Sequence, residues 1–174
     1  MSDMGGLERR IAMLEDIEAI RQLKHRYFFA CDQKRPAEVL ACFAPGRVHI
    51  DYGRIGVFER AQDMVEAFTA LACHEHIVEM HHAQNPQIRV LDAARAEATW
   101  GLYYFMLNTR DRNVTQLGGY YVDEYRKLDD GWRISSTVFH VTSTELLDIG
   151  EGIAKIVFAG RAAPADIDDP SAQA

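Results

Sequence analysis

Apolar residues recur at helical spacing along the first part of the chain, and polar residues fill many of the positions between them. The apolar positions are Leu7, Ile11, Leu14, Ile17, Ile20, Leu23, Tyr27 and Cys31, and the polar ones include Glu15, Asp16, Glu18, Arg21 and Lys24. This pattern predicts a long amphipathic helix. Asp32 follows where the helix should end, beside the negative end of the helix dipole, which is unfavourable for a carboxylate. Asp32 is therefore either an ordinary turn residue or a residue kept for chemistry.

Two further helices and one strand are predicted between residues 36 and 73. Pro36 suits the first turn of a short helix that continues to Phe43. Residues 47–53 alternate between polar and apolar side chains and so predict a strand, with Asp51 and Tyr52 on opposite faces. The next helix covers about residues 60–73, and its buried side is formed by Met64, Val65, Phe68 and Leu71.

The second half of the chain is rich in strand patterns. These cover residues 87–91, 96–109, 114–127 and 132–142, with polar turns between them. Gly118 and Gly119 lie inside one of these strands, which predicts a bulge and a strongly curved sheet. Both faces of the strand at 96–109 carry apolar residues, so we expect both faces to be covered.

The order of the elements predicts a single domain of the α+β class. Helices come first and strands follow, which favours three helices packed on one face of a cone-shaped, mostly antiparallel sheet around an apolar pocket. We expect this domain to cover residues 1–147 and a C-terminal extension to cover residues 148–174. Within the extension, the apolar residues near 153–157 predict a short helix, and residues 162–174 are typical of a linker or free end.

Composition and charge narrow the class of protein. The chain has 174 residues, of which 48% are hydrophobic and 26% are charged, as is ordinary for a globular domain. The net charge of −7, without clustered Lys and Arg, argues against binding to nucleic acid. The first residues lack the pattern of a signal peptide, and no apolar run approaches the roughly 20 residues that span a bilayer. We therefore expect a cytoplasmic protein that does not bind a membrane.

His81 and His82 are the first candidates for chemistry. On a strand their side chains point to opposite faces, so only one of them can face a pocket. An inward histidine is suited to moving protons near neutral pH, and a carboxylate such as that of Asp32 could hold its tautomer. The alternative is a buried histidine that hydrogen-bonds a backbone carbonyl, because a dipeptide alone is a weak signal.

Metal ligands are sparse in the sequence. His74 and His76 could share a strand face and bind a metal, but no third ligand lies nearby in the sequence. The cysteines, at positions 31, 42 and 73, form no Cys-x-x-Cys pair, which argues against a disulfide framework and against zinc. We expect no metal and no other cofactor.

Several segments resemble the SnoaL-like branch of the nuclear transport factor 2-like superfamily, from about Leu14 to Thr142. That group includes scytalone dehydratase, bile-acid 7α-dehydratase, hexachlorocyclohexane dehydrochlorinase and, more distantly, ketosteroid isomerase. The segments that carry the resemblance are Asp16-Ile17-Glu18-Ala19-Ile20, Leu23-Lys24, Tyr27, Asp32, Met80-His81, Pro86, Trp100, Gly118-Gly119, Asp123-Glu124-Tyr125 and Gly131-Trp132. The resemblance implies the fold described above.

The resemblance also implies roles for individual residues. Asp32 and His81 match the two members of the family's catalytic dyad. Tyr27 matches a pocket tyrosine of the bile-acid enzyme and is expected to take part in catalysis. Asp51 and Tyr52 resemble an Asp-Tyr pair of scytalone dehydratase, in which the tyrosine faces the substrate, and both residues are expected to bind substrate.

Three polar positions of the family pattern differ in this chain. Tyr104 stands where the bile-acid dehydratase has an aspartate, and Met106 stands near the second histidine of scytalone dehydratase. His140 stands near the arginine on the last strand of the bile-acid enzyme. Trp100, Tyr104 and His140 are expected to bind substrate, and the alternative is that such residues serve the core. These changes leave the dyad intact but do not allow the substrate to be carried over.

Together, the residues and the resemblance predict a cofactor-independent lyase. The His81-Asp32 dyad would remove a proton from carbon and so eliminate water, or another small group such as halide or formaldehyde, from a small hydrophobic cyclic or aromatic substrate. An isomerase with the same proton shuttle is the close alternative. A non-catalytic ligand-binding module and a structural protein like a dioxygenase small subunit are further alternatives, because fold does not fix function. We also expect a homo-oligomer, either a trimer or a dimer.

Overall fold

Three helices and seven strands make up the part of the chain that the computed structural model describes, residues 4–149 and 153–159. The helices are α1 (Met4–Asp32), α2 (Pro36–Ala41) and α3 (Ala61–Ala72). The strands are β1 (His49–Asp51), β2 (Val57–Phe58), β3 (Ile77–Val90), β4 (Arg95–Asn108), β5 (Asn113–Leu128), β6 (Gly131–Asp148) and β7 (Ile153–Ala159). A short 3-10 helix at Gly53–Ile55 separates β1 from β2.

The seven strands form one sheet in the order β2-β1-β6-β5-β4-β3, and β7 pairs with β6 outside this path. All of these pairs are antiparallel except β1 with β6, which run parallel. The helices pack on one face of the curved sheet, and buried side chains from the helices and the sheet form one core. The predicted α+β fold is therefore confirmed, as is the long first helix.

The sheet is irregular at the two glycines where the sequence predicts curvature. Gly118 pairs with Ser143 and Gly119 pairs with Val141, so β6 carries one extra residue at this point. A Cβ atom on Gly119 would lie 2.5 Å from the carbonyl oxygen of His140. Only a residue without a side chain allows this approach, and the bulge bends the strand and increases its twist.

β3 joins the predicted strand at 87–91 to the histidine-containing segment before it. A register shift between Gln84 and Gln87 interrupts its pairing with β4. Asn85 adopts a positive φ of 47° at this bulge, and Pro86 has no N–H to offer a neighbouring strand. The bulge therefore allows one continuous strand to carry both segments.

α1 contacts the core only along its C-terminal half. Ile20, Leu23 and Tyr27 are buried, whereas Leu7 and Leu14 remain 51% and 62% exposed. The apolar stripe is therefore longer than the surface on which the helix packs. In the described ranges, no helix, including α1, is long and apolar enough to cross a membrane.

Lys24 lies inside the core, so its predicted place on the polar side of α1 is wrong. Its side chain is fully buried, and Nζ lies 2.8 Å from Asp123 Oδ2 and 3.8 Å from the centre of the Tyr121 ring. Tyr125 donates a hydrogen bond of 2.7 Å to the same carboxylate oxygen, and Trp100 Nε1 donates to Tyr125 Oη at 2.9 Å. Burial lowers the pKa of Lys24, and the adjacent Asp123 opposes this shift.

β7 is a strand, so the short helix predicted near residues 153–157 is wrong. β6 extends to Asp148, beyond its predicted end at residue 142, and residues 143–148 pair with β7. A short apolar run does not distinguish helix from strand, and here the partner strand decides the outcome. The predicted linker at 162–174 lies outside the described residues.

The outer face of the sheet, which faces away from the helices, carries exposed apolar side chains. The exposed fractions of the larger ones range from 38% to 46%, and these residues are Val78, Met80, Tyr103, Tyr120 and Val122. They lie on three neighbouring strands, β3, β4 and β5. An apolar patch of this kind usually marks an interface.

We expect the protein to form a homo-oligomer, a trimer or a dimer, that buries this patch. Light scattering at micromolar concentration should give a multiple of the 19.7 kDa chain mass. Val122→Glu should yield monomers, because an unpaired charge is costly to bury, whereas Glu75→Gln, in an exposed loop, should leave the mass unchanged. A monomeric wild-type protein would contradict the expectation.

Candidate active site

A cavity of about 330 Å³ lies between the C-terminal half of α1, α3 and the inner face of the sheet. Its wall is largely apolar, with side chains that include Ile55, Met64, Phe68, Leu102, Leu117 and Phe139. The polar side chains in the wall include Tyr27, Tyr52, Glu79, His81, Tyr104 and Tyr121. A cavity with mostly apolar walls and a few polar groups is typical of a small-molecule site.

His81 lines this cavity and contacts Asp32, which is not itself part of the cavity wall. Asp32 Oδ1 lies 2.6 Å from His81 Nδ1, and both carboxylate oxygens accept from the backbone N–H of His81 at 3.2 Å. An ionised carboxylate only accepts, so Nδ1 carries a proton, and in the neutral form of the ring Nε2 has the lone pair. The side chains of His81 and Asp32 are 14% and 17% exposed. The geometry therefore fixes the tautomer of a largely buried imidazole.

The secondary structure explains how these two residues meet. Asp32 is the last residue of α1, and β3 is the edge strand of the sheet against which α1 packs. The backbone N–H of His81 is therefore available to a residue of α1. Its hydrogen bond to Asp32 offsets the unfavourable interaction of the carboxylate with the negative end of the helix dipole. Phe28 stacks on the imidazole with ring centroids 5.2 Å apart, and the Tyr104 ring lies 4.8 Å away on β4.

His82 points to the opposite face of β3. It is exposed, and its ring stacks on that of Tyr103 with centroids 6.1 Å apart. The alternation of side chains along a strand explains why the two neighbouring histidines differ. His82 is therefore a matched control for substitutions of His81.

Tyr27 and Tyr52 form a hydroxyl pair in the cavity wall. Their Oη atoms lie 2.8 Å apart. Burial raises the pKa of both hydroxyls well above the ordinary value of 10.0. Both hydroxyls stay protonated near neutral pH, and the bond between them uses only one of the two protons. The pair is therefore suited to donating a hydrogen bond to an oxygen atom in the cavity.

Glu79 and Lys34 belong to the site, although the sequence pattern does not single them out. Glu79 Oε1 accepts a hydrogen bond of 2.7 Å from Tyr104 Oη, and the other carboxylate oxygen forms an ion pair with Lys34 Nζ. Glu79 lies two residues before His81, so the alternation of side chains along a strand is the signal that could have found it. Lys34 gives no such signal, because its placement depends on the turn after α1.

Three residues predicted to bind substrate lie outside the cavity wall. Trp100 is fully buried in the core. The carboxylate of Asp51 accepts from the backbone N–H of Gly53 at 2.9 Å and so supports the turn after β1. His140 stacks on Tyr120 at 4.7 Å, on the outer face of the sheet. Trp100 therefore packs in the core, Asp51 supports a turn and His140 lies on the outer face. These positions do not favour contact with a ligand in the cavity.

Cys31, His74 and His76 also line the cavity. Burial raises the pKa of the Cys31 thiol to about 12, so near neutral pH this residue is a poor nucleophile. The rings of His74 and His76 stack on each other, with centroids 5.2 Å apart. Among the residues that the structure describes, no three or more His, Cys, Asp or Glu side chains are grouped so that they could hold a metal ion.

The amino-acid sequence matches a known domain family over most of its length. The family is described as SnoaL-like domain, and the match covers residues 12–138. This range includes the dyad, the tyrosine pair, Glu79 and Tyr104.

Solved structures from several bacteria share this fold. A candidate scytalone dehydratase from Novosphingobium aromaticivorans is 19% identical, with a TM-score of 0.68 over 86% of this chain and 93% of that one. A type 3 hexachlorocyclohexane dehydrochlorinase from Novosphingobium barchaimii is 12% identical, with a TM-score of 0.69 over 78% and 92% of the two chains. A candidate aromatic ring hydroxylase from N. aromaticivorans is 21% identical, with a TM-score of 0.65 over 72% and 88%. Similarity at these identities establishes the fold.

Proposed function

The chain belongs to the SnoaL-like domain family, and we propose that it is a cofactor-independent lyase for a small hydrophobic cyclic or aromatic substrate. The observation that carries the proposal is the contact of Asp32 with His81, which lines a largely apolar cavity. Two of the similar structures are named as a dehydratase and a dehydrochlorinase, and both names refer to enzymes that catalyse eliminations. These names support an elimination here without defining the substrate.

The first step of the proposed reaction is the removal of a proton from carbon. Nε2 of neutral His81 takes this proton, and the Asp32 carboxylate stabilises the imidazolium that forms. The C–H electron pair becomes a carbon–carbon double bond, and the leaving group departs with the electrons of its own bond. A leaving hydroxide takes up a proton from the imidazolium of His81 and departs as water, and a halide departs as the anion. Loss of formaldehyde would instead begin with removal of the proton from a hydroxymethyl O–H, after which the carbon–carbon bond breaks and its electron pair remains on the ring carbon.

The hydroxyl pair of Tyr27 and Tyr52 is suited to stabilising the negative charge that develops on the substrate or on the leaving group. The proton that is not used between the two tyrosines would donate a hydrogen bond to a carbonyl oxygen that gains charge, or to the oxygen of a leaving group. The raised pKa of both hydroxyls makes them donors rather than bases at neutral pH. If the imidazolium of His81 instead returns its proton to a different carbon, the same groups perform an isomerisation.

A screen in deuterated buffer tests this proposal. Purified protein is incubated with hydroxylated steroids, aryl-propanoids and polyketide-like phenols, and mass spectrometry follows loss of water or of another small group and uptake of deuterium at carbon. We expect at least one compound to react with the wild-type protein and with His82→Ala, but not with His81→Ala. If bound compounds neither eliminate nor exchange, the protein is a ligand-binding module and the proposal fails.

A further inference from the structure

A second polar unit lies beside the dyad and consists of Lys34, Glu79 and Tyr104. The Tyr104 hydroxyl donates to Glu79 at 2.7 Å, and Glu79 also pairs with the ammonium group of Lys34. The side chains of Glu79 and Lys34 are only 10% and 20% exposed. Glu79 and Tyr104 both line the cavity, so the unit faces the same space as His81.

The same two segments of the chain build both polar units. The end of α1 supplies Asp32 and, two residues later, Lys34, while β3 supplies Glu79 and, two residues later, His81. Lys34 has a φ of 55°, in the left-handed region. Glycine is the usual residue for this conformation after a helix, so a lysine here is unusual, and unlike glycine it can form the ion pair with Glu79.

The ion pair decides how the Tyr104 hydroxyl is oriented. A carboxylate beside an ammonium group is ionised, and an ionised carboxylate accepts hydrogen bonds without donating any. The single hydroxyl proton of Tyr104 is therefore directed to Glu79. Oη keeps lone pairs when it donates its proton to Glu79, and Tyr104 lines the cavity, so a ligand hydroxyl there meets an acceptor, in contrast to the Tyr27-Tyr52 pair.

We infer that Tyr104 Oη, oriented by Glu79 and Lys34, recognises a hydroxyl group on the substrate. The substrate is thereby a hydroxylated cyclic or aromatic compound. Its hydroxyl lies beside the His81 ring, because the centroids of the His81 and Tyr104 rings are 4.8 Å apart. Tyr104 is a binding residue in this scheme, and Glu79 and Lys34 are positioning residues that act through it. The inference rests on the proposed function because it takes the cavity as the substrate site, but it does not depend on proton transfer by His81.

Two matched probes, 2-naphthol and 2-methoxynaphthalene, test the recognition of a hydroxyl group. They share one ring system, and only the naphthol can donate a hydrogen bond. Calorimetric titration should show that the wild-type protein binds the naphthol about tenfold more tightly, as one hydrogen bond of ordinary strength predicts. Tyr104→Phe should remove this preference and leave the affinity for 2-methoxynaphthalene unchanged.

The positioning residues are tested with the same probes. Glu79→Gln should reduce the preference, because the glutamine amide can donate to Oη and release the tyrosine proton towards the ligand. Lys34→Met should also reduce the preference for 2-naphthol over 2-methoxynaphthalene. Affinity for 2-methoxynaphthalene reports whether each variant keeps an intact cavity. A role for Glu79 and Lys34 that is only structural would weaken both probes equally.

All titrations are repeated in a His81→Ala background, since Nε2 of His81 is itself an acceptor. A hydroxyl preference that persists in this background and disappears with Tyr104→Phe supports the inference. The inference is overturned if Tyr104→Phe keeps the preference there, if the wild-type protein shows none, or if neither probe binds. Failure of the proposed lyase function would give a different result: no compound would turn over, although the preference for 2-naphthol would be retained.

Discussion

Replacing His81 by alanine should lower kcat by on the order of 10²–10⁴-fold, the usual effect of losing a general base. In the proposed mechanism this imidazole is the base, because Nδ1 is bound to Asp32 at 2.6 Å and Nε2 remains to take up the proton. Steady-state kinetics on a compound found in the screen would measure the loss. Circular dichroism should show that the variant is folded, because the side chain is removed from a cavity wall rather than from the packed core.

Asp32→Asn should also lower kcat strongly, since an amide cannot stabilise the imidazolium as a carboxylate does. Residues that act as one unit are non-additive. The double variant should therefore be little slower than His81→Ala alone. His82→Ala is the matched control and should retain most of the activity, because that ring lies on the outer face against Tyr103. Additive losses at Asp32 and His81, or a larger loss at His82, would show that the dyad is assigned to the wrong pair.

Replacing Lys24 by methionine should lower the free energy of unfolding by about 3–5 kcal/mol, the range for a buried ion pair that loses one partner. Lys24 and Asp123 are both fully buried, so the substitution leaves a carboxylate without its counter-charge. Urea denaturation followed by fluorescence would measure the change. Met is close to Lys in length, so the effect reports the charge more than lost packing.

A second variant separates the effect of the unpaired Asp123 charge on stability from the effect of the changed side-chain shape at position 24. Lys24→Met combined with Asp123→Asn should be more stable than Lys24→Met alone, because the amide oxygen still accepts from Tyr125 and no unpaired charge remains. Lys127→Met is the surface control. Its ion pair with Asp16 includes a lysine that is 40% exposed, and exposed pairs contribute only about 0–1 kcal/mol. Equal effects of the Lys24 and Lys127 variants would refute the assignment of a buried pair.

The sequence predicts the helices and strands of this fold well where a regular pattern meets a surface that matches it. The period of the apolar stripe places α1, and the two glycines place the bulge between β5 and β6. Lys24 is four residues after Ile20 and three before Tyr27, so its position on the helix lies on the buried side. The residue type suggests solvent, and the distant partner Asp123 overrides it. No local pattern contains that partner.

The candidate site is less accessible to sequence reasoning than the fold. Asp32 and His81 lie on different elements, so the residues alone make Asp32 only one candidate partner, and the resemblance to a family selects it. Glu79 shares a face with His81, which strand alternation could have shown. Lys34 reaches Glu79 through a backbone conformation with a φ of 55°, which no periodic pattern indicates. The strand β7 is missed for a similar reason, because its structure depends on pairing with residues 143–148 of β6.

The parallel pairing of β1 with β6 has a consequence for the order of folding. The strands β3 to β6 follow one another through short turns, so their hairpins close small loops. β1 instead pairs with residues much later in the chain, with His49 opposite Ser136, and such a contact closes a large loop at a higher entropic cost. Tyr52 follows β1 directly. We therefore expect the meander to form early and the tyrosine pair to assemble late, so that a ligand-competent cavity is among the last features to appear during refolding.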